Sequence, residues 1–163
     1  DCPTAIFQVC CVTNGNLGGP CDAPNDCIGG GCLPEASGYP RDGVCTFACD
    51  PAQNNCPAGG TCMPVYFSAA PGACMIACTN DDGCREGWSC EAFPSAMGQS
   101  SSPSLLACWG PVPGLALLGQ ACSTDAECLS MVCGAGGRCS ANCDGTHPCP
   151  DGYSCTDGKC TAP

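Results

Sequence analysis

Twenty of the 23 cysteines in this 163-residue chain fall into five successive four-cysteine units of nearly constant spacing, and no other feature restricts the fold as much. In order the units are Cys21, Cys27, Cys32, Cys45; Cys49, Cys56, Cys62, Cys74; Cys78, Cys84, Cys90, Cys108; Cys122, Cys128, Cys133, Cys139; and Cys143, Cys149, Cys155, Cys160. Each reads C-x5/6-C-x4/5-C-xn-C. Only the last gap varies widely, from four to seventeen intervening residues, as a surface loop does between fixed anchors. Cys2, Cys10 and Cys11 stand outside the scheme and leave the total odd.

The rest of the composition leaves the cysteines to do the stapling. Three Ile, eight Leu, six Val and four Phe make 21 of 163 residues, below the roughly one fifth at which a chain can organise itself around apolar side chains. Glycine (23) and proline (16) break long helices and favour turns. A disulfide closing a loop of a dozen residues removes on the order of 3 kcal/mol of unfolded-chain freedom in the entropy model. The expected fold is therefore a small disulfide-rich repeat protein: five four-cysteine units of loops and short β-hairpins, with little helix and no large hydrophobic core. So many paired thiols require an oxidising compartment, so the chain is expected to be secreted, extracellular or at a cell surface. No leader is visible at Asp1 and no apolar run approaches the length of a membrane span, so the chain reads as a mature form or an ectodomain. A net charge of −11, with Arg41, Arg85, Arg138 and Lys159 as the firm cations, argues against nucleic acid or an anionic membrane as partner.

Units one and four open alike, with Leu17-Gly18-Gly19-Pro20-Cys21 and Leu118-Gly119-Gln120-Ala121-Cys122. Units two, three and five share C-x2-G-x-[ST]-C, and its glycines, Gly59, Gly87 and Gly152, suit a positive-φ turn. The chain divides into an N-terminal extension (1–16), a three-unit block (17–108), a connector (109–117) and a two-unit block (118–163). Neighbouring units within a block are only a C-x3-C apart, so each block is expected to be a semi-rigid rod whose units contact mainly their neighbours. Ahead of the array, Thr4 to Val12 is the best strand candidate, with Ile6, Phe7, Val9 and Val12. It either pairs with the first unit or adds a strand to another subunit.

The G-x-x-C-x5-C-x4-C openings, alternating with C-x3-C-x5-C-x2-G-[YW]-x-C, resemble the tandem cysteine-rich repeats of secreted and surface proteins from myxobacteria and related environmental bacteria, over about residues 17 to 160. A single unit also resembles the two-disulfide finger of colipase and Dickkopf-type proteins and, more loosely, an EGF-like hairpin. Four cysteines allow three connectivities. The finger resemblance implies first-to-third and second-to-fourth pairing: Cys21 to Cys32, Cys27 to Cys45, Cys49 to Cys62, Cys56 to Cys74, Cys78 to Cys90, Cys84 to Cys108, Cys122 to Cys133, Cys128 to Cys139, Cys143 to Cys155 and Cys149 to Cys160.

Other chemistry is weakly represented. A zinc cluster or redox site lacks its C-x2-C, and His147 is the single histidine. Paired with Asp144 it could serve as a base, but no enzyme is expected. No cofactor is expected; calcium is the minor alternative, at turns carrying Asp81, Asp82, Asp125, Glu127 and Asp157. Trp88 and Tyr153 follow the turn glycine in their units and either cover a disulfide pair or form a platform for carbohydrate. Ser100, Ser101, Ser102 and Ser104 lie in the longest intra-unit loop and are candidate O-glycosylation sites.

The apolar segments Val65-Tyr66-Phe67, Leu105-Leu106 with Trp109, and Leu115 to Leu118 have little interior within a unit to occupy, so they are expected to pack between units or between molecules. Together with Cys2, Cys10 and Cys11 this favours an extracellular structural protein, a self-assembling subunit of a fibre, appendage or surface layer. The alternative is a monomeric secreted binding module such as a protease inhibitor, receptor ligand or carbohydrate adhesin.

Overall fold

A computed structural model describes residues 17–28, 31–37, 39–64, 72–95 and 104–162. The elements are short antiparallel hairpins. β1 (Gly31–Leu33) pairs with β2 (Val44–Thr46); β5 (Gly72–Ile76) lies between β3 (Ala48–Cys49) and β4 (Gly60–Met63); β6 (Ser89–Pro94) pairs with β7 (Ser104–Trp109), and β8 (Ser154–Thr156) with β9 (Lys159–Thr161). Helix among the described residues is limited to four three-residue 3-10 turns. Three of them, Pro24–Asp26, Asp81–Gly83 and Asp125–Glu127, sit between the first and second cysteines of their units.

The hairpin explains the spacing rule. The third and fourth cysteines of every unit are cross-strand partners: Cys32 with Cys45, Cys62 with Cys74, Cys90 with Cys108 and Cys155 with Cys160, with an isolated bridge joining Cys133 to Cys139 in the fourth unit. The variable gap is therefore the hairpin loop, whose length leaves the pairing of its base unchanged. Directly opposed residues project to one face of a two-stranded sheet, so both sulfurs meet the loop that carries the first two cysteines. Ten disulfides result, joining first to third and second to fourth throughout: Cys21–Cys32, Cys27–Cys45, Cys49–Cys62, Cys56–Cys74, Cys78–Cys90, Cys84–Cys108, Cys122–Cys133, Cys128–Cys139, Cys143–Cys155 and Cys149–Cys160.

Local polar contacts repeat with the cysteines. The N–H of the third cysteine donates to a side-chain oxygen in three units: Cys62 to Asn54 (2.8 Å), Cys90 to Asp81 (2.7 Å) and Cys133 to Asp125 (2.6 Å). The like-sequence openings of units one and four form like bonds, Gly18 N–H to Cys45 O and Gly119 N–H to Cys139 O, both 2.8 Å. Gly59, Gly87 and Gly152 take φ of 82°, 79° and 88°, the left-handed region in which a Cβ is strained.

The small core lies between units. Leu33, Val44, Met63, Ala73, Met75, Phe93, Ala107 and Trp109 form one cluster, contributed by the hairpins of the first three units. Ala92 and Leu106 instead join Ala141, Cys143, Cys160, Leu118 and Tyr153 in a second. The period-two alternation of β6 and β7, the longest strands, produces this division: Phe93, Leu105, Ala107 and Trp109 face one way, Ala92 and Leu106 the other.

The expectation that units touch mainly their chain neighbours is thereby corrected. The third unit is a hub. Arg85 donates from Nη2 to the carbonyls of Arg41 (2.8 Å) and Gly43 (3.0 Å) in the first unit. On the other side Asp151 N–H donates to Thr79 O (2.7 Å), tying in the fifth unit, and Ser104 N–H to Asn142 O (3.1 Å), tying in the segment that joins the fourth unit to the fifth. A hairpin with apolar residues on both faces must cover both, and adjacent units in the chain can cover only part of that surface. The connector packs as well: Val112 lies against the first cluster, and Ala116 exchanges backbone hydrogen bonds with Glu127 and Leu129.

Candidate functional site

Where the third unit, the end of the connector and the fifth unit meet, the surface folds into a cleft of about 430 Å³. Four carboxylates line it, Asp81, Asp82, Glu91 and Asp151, with Asn80, Ser89, Gln120 and Tyr153; no Lys, Arg or His does.

Each wall is built from its local sequence. Asn80 caps the 3-10 turn Asp81–Gly83 by accepting from Asp82 N–H (3.1 Å), and its Nδ2 donates to Asp151 Oδ2 across the cleft (3.1 Å). Gln120 Oε1 accepts from Leu117 N–H (3.0 Å). Tyr153 lies over Gly119, where a Cβ would come within 2.5 Å of the phenolic oxygen. Glu91 forms the floor and is 4% exposed. Its Oε1 accepts from the Ser89 hydroxyl (2.6 Å) and its Oε2 from Leu118 N–H (2.9 Å). Burial pushes the Glu91 carboxyl above its ordinary range, with a smaller push from Asp81, while the two hydrogen bonds oppose the shift. Burial, then the charges of Glu91 and Asp81, likewise push the Tyr153 hydroxyl up, and Arg138 opposes. The chemistry on offer is acceptance of positive charge.

The residues singled out in the sequence lie in several places. Asp81 lines the cleft, whereas Asp125, Glu127 and Asp157 belong to other turns. Asp81 and Asp125 each cap a cysteine N–H, and Glu127 accepts from Ser123 N–H (2.8 Å). Among the described residues, the groups of three possible ligand atoms lying close together are cysteine sulfurs, every one of them in a disulfide. His147 Nδ1 lies 2.9 Å from Asp144 Oδ1. The same carboxylate oxygen accepts from Thr146 N–H, Thr146 Oγ1 and His147 N–H, each at 2.8 Å, so Asp144 organises a loop.

One reading needs correction. Ser104 is a β7 residue, 4% exposed, whose Oγ accepts from Asn142 N–H (3.2 Å); a strand position bonded to the segment between the fourth and fifth units is closed to a sugar. Of the two readings of Trp88 and Tyr153, half-burial against the clusters fits packing groups rather than open platforms. Trp88 carries Arg85 over its ring at 3.9 Å and sits 6.3 Å from Trp109, while Tyr153 belongs to the second cluster. Cys2, Ile6, Phe7, Val9, Cys10, Cys11, Ser100, Ser101 and Ser102 lie outside the described residues, as do Val65, Tyr66 and Phe67.

Sequence reasoning missed Glu91 and Arg85. The available hint was that each is a charged residue directly after an array cysteine, Arg85 after Cys84 and Glu91 after Cys90. Compared with known proteins, the chain matches no family model, no curated protein and no solved structure.

Proposed function

We propose that this chain is a non-enzymatic extracellular structural subunit, a stapled body joined to its neighbours in a fibre, appendage or surface layer through its first twelve residues. One observation carries the reading. Ten disulfides close all twenty array cysteines inside their own units, which leaves Cys2, Cys10 and Cys11, an odd number gathered in eleven residues. Within these 163 residues at least one of the three has no partner, and vicinal Cys10 and Cys11 would close a strained ring. A head-to-tail contact repeated by identical subunits grows into an open polymer unless it closes into a ring.

The described residues of the body contribute little to such a joint. Leu105, Leu106, Trp109 and Leu115 to Leu118 are buried or half-buried inside the chain, so these apolar segments are withdrawn as assembly surfaces. Ile28, 62% exposed, is the one large apolar side chain standing open among the described residues. Ten disulfides fit an oxidising extracellular setting, and among the described residues no helix is long and apolar enough to cross a membrane. The resemblance to surface repeats points the same way.

Deleting Asp1 to Val12, or replacing Cys2, Cys10 and Cys11 with serine, is expected to yield discrete monomers by light scattering, whereas the intact chain runs as multimers on non-reducing gels. Assembly of the truncated chain as efficient as that of the full one overturns the proposal. The acid-lined cleft favours a second reading, a secreted module binding a cationic group, and native material that is entirely monomeric would bring it forward.

A further inference from the structure

Glu91, 4% exposed, is the one charged side chain buried among the described residues. It stands between Ser89 and Phe93 on β6, opposite Ala107, on a strand face that otherwise supplies apolar groups to the first cluster. Its hydrogen bond to Leu118 N–H spans 27 residues and crosses the seam between the third unit and the opening of the fourth. Elsewhere in the chain exposed carboxylates perform this service: Asp26 accepts from Asp22 and Ala23 N–H and Glu127 from Ser123 N–H. A buried carboxylate performs it at a desolvation cost that the neutral acid does not carry.

Among the described residues nothing of opposite charge compensates that cost. Asp81 from the preceding 3-10 turn adds repulsion, Asp82 and Asp151 line the same cleft, and Tyr153 faces it from the fifth unit. Arg138 of the fourth unit acts on Tyr153 but donates its own Nη1 to Gly119 O (2.8 Å).

We propose that Glu91 is a proton-operated latch that docks Leu118, and with it the fourth and fifth units, more tightly onto the third when its carboxyl is protonated than when it is ionised. Protonation moves no heavy atom. Oε2 continues to accept from Leu118, and the bond to Ser89 reverses, Oε1–H donating to a hydroxyl that accepts as readily as it donates. The direction of the pH dependence follows from the raised docked value against an ordinary value once the seam opens. Between the two, the docked form holds more protons, so opening becomes harder as pH falls and easier as it rises, and above that window docking stays at its looser level. Each pH unit of the window changes the opening constant by up to about tenfold. The latch acts within one chain and holds whether or not chains polymerise.

Hydrogen exchange at Leu118, corrected for intrinsic rate, tests it in the intact oxidised chain between about pH 4 and pH 8, with the Glu91 carboxyl followed by NMR over the same range. The expected result is an opening constant that falls on acidification with the midpoint of Glu91's own titration, above the ordinary carboxylate range. In E91Q, whose amide accepts from Leu118 and donates to Ser89, protection is expected to stay at the low-pH level throughout. Titration of Glu91 in the ordinary range, Leu118 opening that is flat across that titration, or an E91Q profile that tracks the unmutated chain overturns the proposal. The unmutated chain alone decides the first two, so the result does not hang on the variant folding.

Discussion

At the scale of single residues, glycines that share a positive φ meet unequal demands. Gly43 has φ +57°, and a Cβ there would sit 2.1 Å from Cys21 O and 3.0 Å from Leu33 O, both backbone atoms that cannot swing aside. Gly59 has φ +82° but nothing within 4 Å of the same position. Gly59→Ala therefore incurs only left-handed strain, about 1–2 kcal/mol. Gly43→Ala adds overpacking against the first unit's backbone, for a total of about 2–5 kcal/mol. Denaturant midpoints of the oxidised variants check the order, and equal losses would show that the close approach at Gly43 has no energetic weight. The repeated Gly59, Gly87 and Gly152 were legible in the sequence because a fixed offset between cysteines exposes a backbone requirement. Gly43 also recurs, two residues before the fourth cysteine like Gly137 and Gly158, but the spacing does not show how close its neighbour comes, because that neighbour, Cys21 O, belongs to a chain segment 22 residues earlier.

At the scale of elements, the hairpin and its capping loop are the repeating object, and contacts between hairpins are each particular. The third-to-fourth cysteine gap could be read as a loop, and the pairing at its base followed from resemblance to a finger. That β6 and β7 would serve two clusters was not legible, because the apolar pairs Ala92-Phe93 and Leu105-Leu106 each put one residue on either face without stating what covers it. The cleft was equally hidden, since its walls come from Asn80, Leu117 and Asp151, far apart in the chain. Arg85 holds the first unit to the third through two carbonyls while lying on the Trp88 ring of its own unit, and Arg85→Ala is expected to lower stability by about 2 kcal/mol or more. An unchanged midpoint would reduce that contact to decoration. The Asp144–His147 loop responds to acid in the opposite sense to Glu91. Thr146 N–H, then the His147 ring and the Thr146 hydroxyl, hold the Asp144 carboxyl well below its usual range. Its contribution is full above the ordinary aspartate value of 3.8 and is lost only as pH falls through the depressed one. The Thr146 amide shift is expected to remain native at pH 3.8, and a transition centred there would show the loop bonds to be weak.

At the scale of the whole molecule, stability and assembly are assigned to different parts of the chain. Covalent closure makes every unit self-contained, a core of a few apolar residues sets how units dock, and the three cysteines outside the array are left for contacts beyond the body. Because no array disulfide joins one unit to another, the docking of units rests on contacts such as those of Glu91 and Arg85, which can respond to conditions while the units stay intact. The pairing of the array cysteines underlies all of this. The most direct measurement is a disulfide map of native material, by mass spectrometry of peptides digested without reduction. It is expected to return the ten bonds within units, with Cys2, Cys10 and Cys11 sharing at least one bond to a second chain. A bond between cysteines of different units, or a free thiol among the twenty, would contradict the account.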